Sequence, residues 1–265
     1  MMVGEPGFSR AASRAVLPLI AVTLALAAAV FVLPGGHPAG LSSTLPLQPP
    51  SPAHLLGTDD LGRDMVNALL HGLRTSMMLG ASVTLLAQVI GIGVGLAAGL
   101  GSPLRDELLM RTADVVASLP TLVIAILVAA LFGGSLPALA LVLGLSRWPL
   151  IARLVRVEAA SLRTREFVLA AHALGASPFR VAFVHILPHA VTPALAATGI
   201  LFGGAVVSEA ALAFVGLGDP SVTSLGQLAA NGFAFVSHAP WMWLAPVVAI
   251  VALTSVFAAV LDREQ

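Results

Sequence analysis

Long apolar runs alternate with short polar ones along most of the chain. They fill 15–33, 76–100, 112–133, 137–155, 190–217 and 241–261. About 20 apolar residues, at 1.5 Å rise each, cross the hydrocarbon of a bilayer. Backbone groups in that medium must bond within the segment, so runs of this length predict helices. The pattern therefore predicts an all-α polytopic membrane protein with six transmembrane helices surrounded by lipid bilayer. Between the fourth and fifth runs lies a long arginine-bearing segment, 156–189, and between the first and second lies a proline-rich one.

Composition agrees with that reading. The chain is 58% hydrophobic and 10% charged, with mean hydropathy +0.97, against about 25% charged residues in soluble domains. All 13 basic residues other than histidine are Arg. Arg10, Arg14, Arg105, Arg111, Arg153, Arg156, Arg163, Arg165, Arg180 and Arg263 fall on one side of the predicted bundle, and only Arg63 and Arg74 on the other. The positive-inside rule then puts both termini and the 156–189 segment in the cytoplasm. The expected layout is a cytoplasmic N-terminus at 1–14, a first transmembrane helix at 15–33, an external loop at 34–75, a membrane core at 76–261 and a cytoplasmic tail at 262–265. The 15–33 run exceeds the usual 7–15 residues of a signal-peptide core, so a retained helix is expected. Net charge is zero, which gives no attraction to nucleic acid.

The 156–189 segment carries its own punctuation. Residues 158–174 are good helix formers. Gly175 suits the left-handed position that closes a helix. Ser177-Pro178 reads as N-cap and first residue of a second helix, which Pro188 is expected to end. The result is a helix–turn–helix elbow built on Ala170, Ala171, His172, Ala173, Leu174, Gly175, Ala176, Ser177 and Pro178, whose small residues let a partner surface approach closely. On the opposite side, Pro34, Pro38, Pro46, Pro49, Pro50 and Pro52 predict an extended linker. Gly57, Thr58, Asp59, Gly62, Arg63 and Asp64 follow, a turn whose side chains can bond its own backbone, and then a short amphipathic stretch at 65–73. The 218–240 segment reads as a polar external loop.

Two charges fall well inside apolar runs, Arg147 and Glu209, whereas Asp114 lies near the cytoplasmic end of its run. Intramembrane charges usually pair or face a water-filled cavity. Their similar depths are compatible with a direct pair, and equally with two separate environments. Gly91, Gly95 and Gly99 form a small-residue stripe that lets helices pack closely, within one subunit or between two. Catalytic and cofactor chemistry is not in view. There is no Cys and no Lys, so neither a thiol site nor a phosphate-binding Gly-Lys loop exists. The seven histidines fall into no metal-binding pattern, and no cofactor or catalytic residue is expected.

The motifs "HLLGTDDLGRD…GLRTS", "REFVLAAHALGAS…HILPHAVTP" and "SEAALAFVGLGDP", in this order from His54 to Asp219, resemble the dipeptide/oligopeptide/nickel permease family of ABC importers. They are most similar to its second permease subunit, which carries an LGTDxxGRD motif. Leu169 stands where that family's "EAA" loop has its glutamate, Ala68 where an arginine is usual, and Thr223-Ser224-Leu225-Gly226 where Pro-x-Trp-Gly is usual. The resemblance implies a bacterial inner-membrane permease subunit that moves dipeptides or oligopeptides by ATP-driven alternating access. It implies a second permease subunit as heterodimer partner, two ATPase subunits docked on the 170–178 elbow and an extracytoplasmic substrate-binding protein. ATP hydrolysis would belong to the ATPases, not to this chain. Nickel or a metal chelate is the alternative cargo. An ion-coupled secondary transporter is the rival of a different class, supported only by Arg147 and Glu209. It would need matched discontinuous helices, which the apolar pattern does not display.

Overall fold

The structure, a computed structural model, describes residues 45–262. The expected helix at 15–33, the segment 1–14 and residues 263–265 of the tail lie outside the described residues. Nine helices follow in chain order among them: α1 Met65–Gly99, α2 Pro103–Ser118, α3 Thr121–Phe132, α4 Leu136–Leu162, α5 Glu166–Ala173, α6 Pro178–Ala196, α7 Thr198–Phe214, α8 Leu225–Phe233 and α9 Trp241–Asp262. The all-α class expected from the apolar runs is what is found, with one isolated bridge, Thr58 to Asp64, as the sole β pairing among the described residues. Four helices (α1, α4, α6 and α9) are long and apolar enough to cross a membrane, or up to five spans if the bent α2–α3 pair is one.

α1 and α4 form the spine. Gly91, Gly95 and Gly99 of α1 face Ile151, Ala152, Val155 and Ala159 of α4 so closely that a Cβ at Gly95 would stand 2.6 Å from the Ala152 carbonyl oxygen. The small-residue stripe therefore serves packing within this chain. At the far end of this interface α2 is tied to α4 by charge. Arg156 donates to both Asp106 oxygens (2.6 Å each), and Arg153 donates to Asp114 (2.8 Å). Such partly exposed pairs contribute about 0–1 kcal/mol each, enough to orient α2 but not to hold it.

Several boundaries differ from the hydropathy reading. The 112–133 run is not one helix. Pro120 forces Leu119 into an extended conformation (ψ 128°), and α2 and α3 meet at a bend of 69°. α1 begins at Met65, so the stretch at 65–73 is the first turns of that helix rather than a separate element. α4 runs on to Leu162, which breaks the expected 158–174 helix and leaves α5 as its shorter remainder. Pro188 does not end α6. A π-helical turn over Val181–Ile186 precedes it, in which Leu187 N donates to Ala182 O, and the widened turn absorbs the proline's missing N–H. The 218–240 segment is not all loop. It contains α8, which folds back on the bundle with Leu225, Leu228, Ala229 and Gly232 buried.

Candidate functional site

The elbow between α5 and α6 is built by its sequence in three steps. α5 packs Val168 and Ala171 into a cluster with Val181 and Ile186 of α6. It then closes at Gly175, whose φ is +81°. Gly175 N donates to His172 O and Ala176 N to Ala171 O, both at 3.0 Å, the paired bonds of a Schellman turn. Ser177 caps the next helix, its Oγ accepting from Arg180 N at 3.3 Å, with Pro178 in the first turn. At the tip, Leu174 is 89% exposed and Phe179 73% exposed. Ala170, His172 and Ala173 are exposed beside them, while Ala171 faces inward. Nothing lies within 4 Å of a Cβ built at Gly175. The elbow thus presents apolar side chains on a rigid turn, flanked by Arg163, Arg165 and Arg180. Burying Leu and Phe side chains is worth about 1.5–3 kcal/mol each, so this tip suits an apolar cleft on another protein.

At the opposite end, the Gly57–Asp64 motif folds a loop onto the start of α1. Asp59 is its centre, accepting from Leu61 N (2.9 Å), Arg63 N (2.7 Å) and Arg63 Nε (2.6 Å). Gly62, at φ +74°, makes the turn. Thr58 is buried; its Oγ1 donates to Leu45 O and accepts from Gln48 N. Asp64 caps α1, accepting from Val66 N and Asn67 N, and its other oxygen lies 2.8 Å from His54 Nδ1. Gly57 has φ +73°, and a Cβ there would meet Gln48 O and Trp241 Nε1. Trp241 Nε1 donates to Thr58 O at 3.2 Å. Gly57, Thr58, Asp59, Gly62, Arg63 and Asp64 thus each have a structural task in this loop.

Arg147 and Glu209 are not paired with each other. The Arg147 guanidinium reaches α7, donating to Leu201 O (3.2 Å), Gly204 O (2.8 Å) and Ser208 Oγ (2.8 Å). Glu209 points the other way. Its Oε1 accepts from Ser224 Oγ at 2.5 Å, and its Oε2 lies 2.9 Å from where a Cβ on Gly226 would be. Ser224 is also the N-cap of α8, accepting from Gln227 N. Glu209 is therefore the buried peg on which α8 hangs, and Ser76 Oγ of α1 accepts from Leu225 N beside it. Sequence depth placed these two charges at one level; only the structure supplies the azimuth that separates them.

Three further residues carry roles that the sequence reading does not assign. Gln88 Nε2 of α1 donates to Ala194 O (2.6 Å) and Thr198 Oγ1 (3.1 Å), clamping the joint between α6 and α7. A polar residue inside an apolar run was the available signal. Asp219 fastens the loop after α7 to the α3–α4 turn, accepting from Leu136 N at 3.0 Å. Burial pushes its carboxyl up, but bonds from Ser221 Oγ, Ser221 N and Leu136 N outweigh that and hold it below the usual carboxylate range. Ser224 sits just before a 3–4 spaced apolar pattern, the signature of a capped helix. Among the described residues, no three His, Asp or Glu side chains gather as metal ligands would.

Residues 91–263 match the family described as "Binding-protein-dependent transport system inner membrane component". The chain is 34% identical over 235 residues to the dipeptide transport system permease protein DppC of Alkalihalophilus pseudofirmus, covering 88% of this chain and 77% of that protein. It is 34% identical over 200 residues to the oligopeptide transport system permease protein OppC of Bacillus subtilis, covering 75% and 66%. Its fold is similar to that of a chain in the inward-facing MetNI methionine ABC transporter, with TM-score 0.61 at 21% identity, covering 75% of this chain and 95% of that one.

Proposed function

We propose, for a chain that belongs to the binding-protein-dependent transport system inner membrane component family, how a permease component of a peptide-type ABC importer is driven and loaded. The relatives' printed names, dipeptide and oligopeptide permeases, support peptides as cargo. The protein works in the inner membrane with both termini in the cytoplasm, paired with a second permease. Two ATPase subunits supply the energy and an extracytoplasmic binding protein the substrate. Movement of the ATPases pushes on the elbow at Ala170–Pro178. α5 and α6 share a packed cluster with α4, so that push passes into the bundle and rocks it between two access states.

The observation that carries this reading is the elbow tip. Leu174 stands 89% exposed on a turn stiffened by the paired bonds of Gly175 and Ala176. A large apolar side chain on a polar, arginine-flanked segment belongs in a partner's cleft. Because Leu174 makes no core contact, Leu174→Asp should fold and insert as the wild type does. The expected result is loss of co-purifying ATPase and of peptide uptake. Retained ATPase and full uptake in that variant would remove the elbow from the mechanism.

A further inference from the structure

The guanidinium of Arg147 is a built feature with no counter-charge among the described residues. It lies across α7 where Gly204 leaves room, and a Cβ at Gly204 would collide with Arg147 Nη1. Two backbone carbonyls and Ser208 Oγ hold it there. Those bonds use three of its five N–H donors. No carboxylate pairs with it among the described residues, whereas Arg63, Arg111, Arg153 and Arg156 each have one.

Its place says what could approach it. Eleven residues separate it from Leu136, the start of α4, or about 16 Å at 1.5 Å per residue, close to the middle of a ~30 Å hydrocarbon core. Headgroup phosphates are out of reach at that depth. The side chain is only half-buried, and the face of α7 next to its partners is apolar and exposed, with Ile200 72% and Val207 54% exposed and Phe214 beyond. Acyl chains would leave the charge unsolvated, so the surface around it must face water or another chain.

We propose that Arg147, seated on Gly204 and Ser208, is a carboxylate-binding point in the translocation path, and that it receives the terminal carboxylate of the peptide in transit. This rests on the peptide-permease reading above. The site is weak by construction. Three of the guanidinium's donors are already committed to α7, so the passing carboxylate gains one or two charged hydrogen bonds and can leave again. Apolar Ile200 and Val207 flank it without selecting a side chain, which fits cargo whose one constant feature is its terminus.

The test is uptake of trialanine and of trialanine amide by the complete importer in proteoliposomes, with the same binding protein throughout, so that the binding protein's own preference cancels. The readout is the acid-to-amide uptake ratio. Arg147→Gln is expected to lower it about tenfold or more, the effect of losing a hydrogen bond between charged groups. An unchanged ratio overturns the proposal. Loss of the second permease from the purified Gln variant assigns the counter-charge to that partner and also overturns it. Should the Gln variant fail to insert, Arg147→Lys and Gly204→Ala decide, because both keep a cation but move it. A lowered ratio in at least one supports the site, and wild-type ratios in both overturn it. Absence of uptake of either peptide by the wild type would instead refute the peptide-permease reading, a distinguishable failure.

Discussion

Adding one methyl group to Gly95 should separate the two central helices. A Cβ there would stand 2.6 Å from Ala152 O and 2.8 Å from Val155 Cβ, whereas ordinary contact begins at 3.4 Å. α1 and α4 would have to part by about 0.8 Å, a gap that forfeits roughly a quarter to a half of each dispersion contact along the seam. The obstacle is backbone, so no side-chain rotation relieves it. Overpacking of this kind costs about 1–3 kcal/mol. At about 2–4 °C per kcal/mol for a chain of this size, Gly95→Ala should melt about 2–12 °C below wild type. Gly93, on the same helix, is the control, because nothing lies within 4 Å of a Cβ built there. Gly93→Ala should match or exceed wild-type stability, since alanine is the better helix former by about 1 kcal/mol. The assay is loss of the monodisperse peak in size-exclusion chromatography after heating in detergent. Equal melting of the two variants would show that the glycine stripe does not set the helix spacing.

Arg147 and Glu209 share no hydrogen-bond partner, so the destabilisation measured for Arg147→Gln and Glu209→Gln should add in the double variant; an interaction energy well above about 0.5 kcal/mol would mean that the two charges are coupled. Asp219 is held below its ordinary pKa, so its tether to Leu136 should be fully present above about pH 4 and be lost as pH falls further through the folded value. Pepsin cleavage of the 215–224 loop should accordingly rise on acidification in wild type and be already high, with no pH step, in Asp219→Asn; a step that survives in Asp219→Asn would exclude this carboxyl. The chain has no cysteine, so single cysteines report topology without background. One at Ser51 should react with an impermeant thiol reagent from outside and one at Ser177 should not, and the reverse pattern would invert the proposed orientation.

What could be read in advance divides along physical lines. Local chemistry was legible. Gly175 as a left-handed turn, Ser177-Pro178 as a helix start and Gly91, Gly95 and Gly99 as a packing stripe all depend on residues close in sequence. Two prolines carried opposite lessons. Pro120 bends its span because the residue before it cannot be helical, a signal that hydropathy averaging hides. Pro188 fails to break its helix because a π-helical turn upstream supplies the slack, and no residue pattern announced that turn. The missed helix α8 carried a capped, 3–4 spaced apolar pattern, obscured by its glycines and by the polar residues on either side. The partners of Arg147 and Glu209 were beyond reach, because residue count gives depth along a helix and nothing about the direction each side chain takes.

The hydrogen bond from Trp241 to Thr58 joins positions 183 residues apart, and it sets an order of events during biosynthesis. The loop around Thr58 leaves the ribosome long before Trp241 exists. Its floor is formed by Trp241 and Met242, which cluster with Leu47, Leu56 and Met65. Contacts of such long sequence separation carry a large loop-closure entropy and form slowly. The loop therefore stays unfinished until α9 has been made and has reached it. Closure of that clasp then fastens the start of α1 to the start of α9.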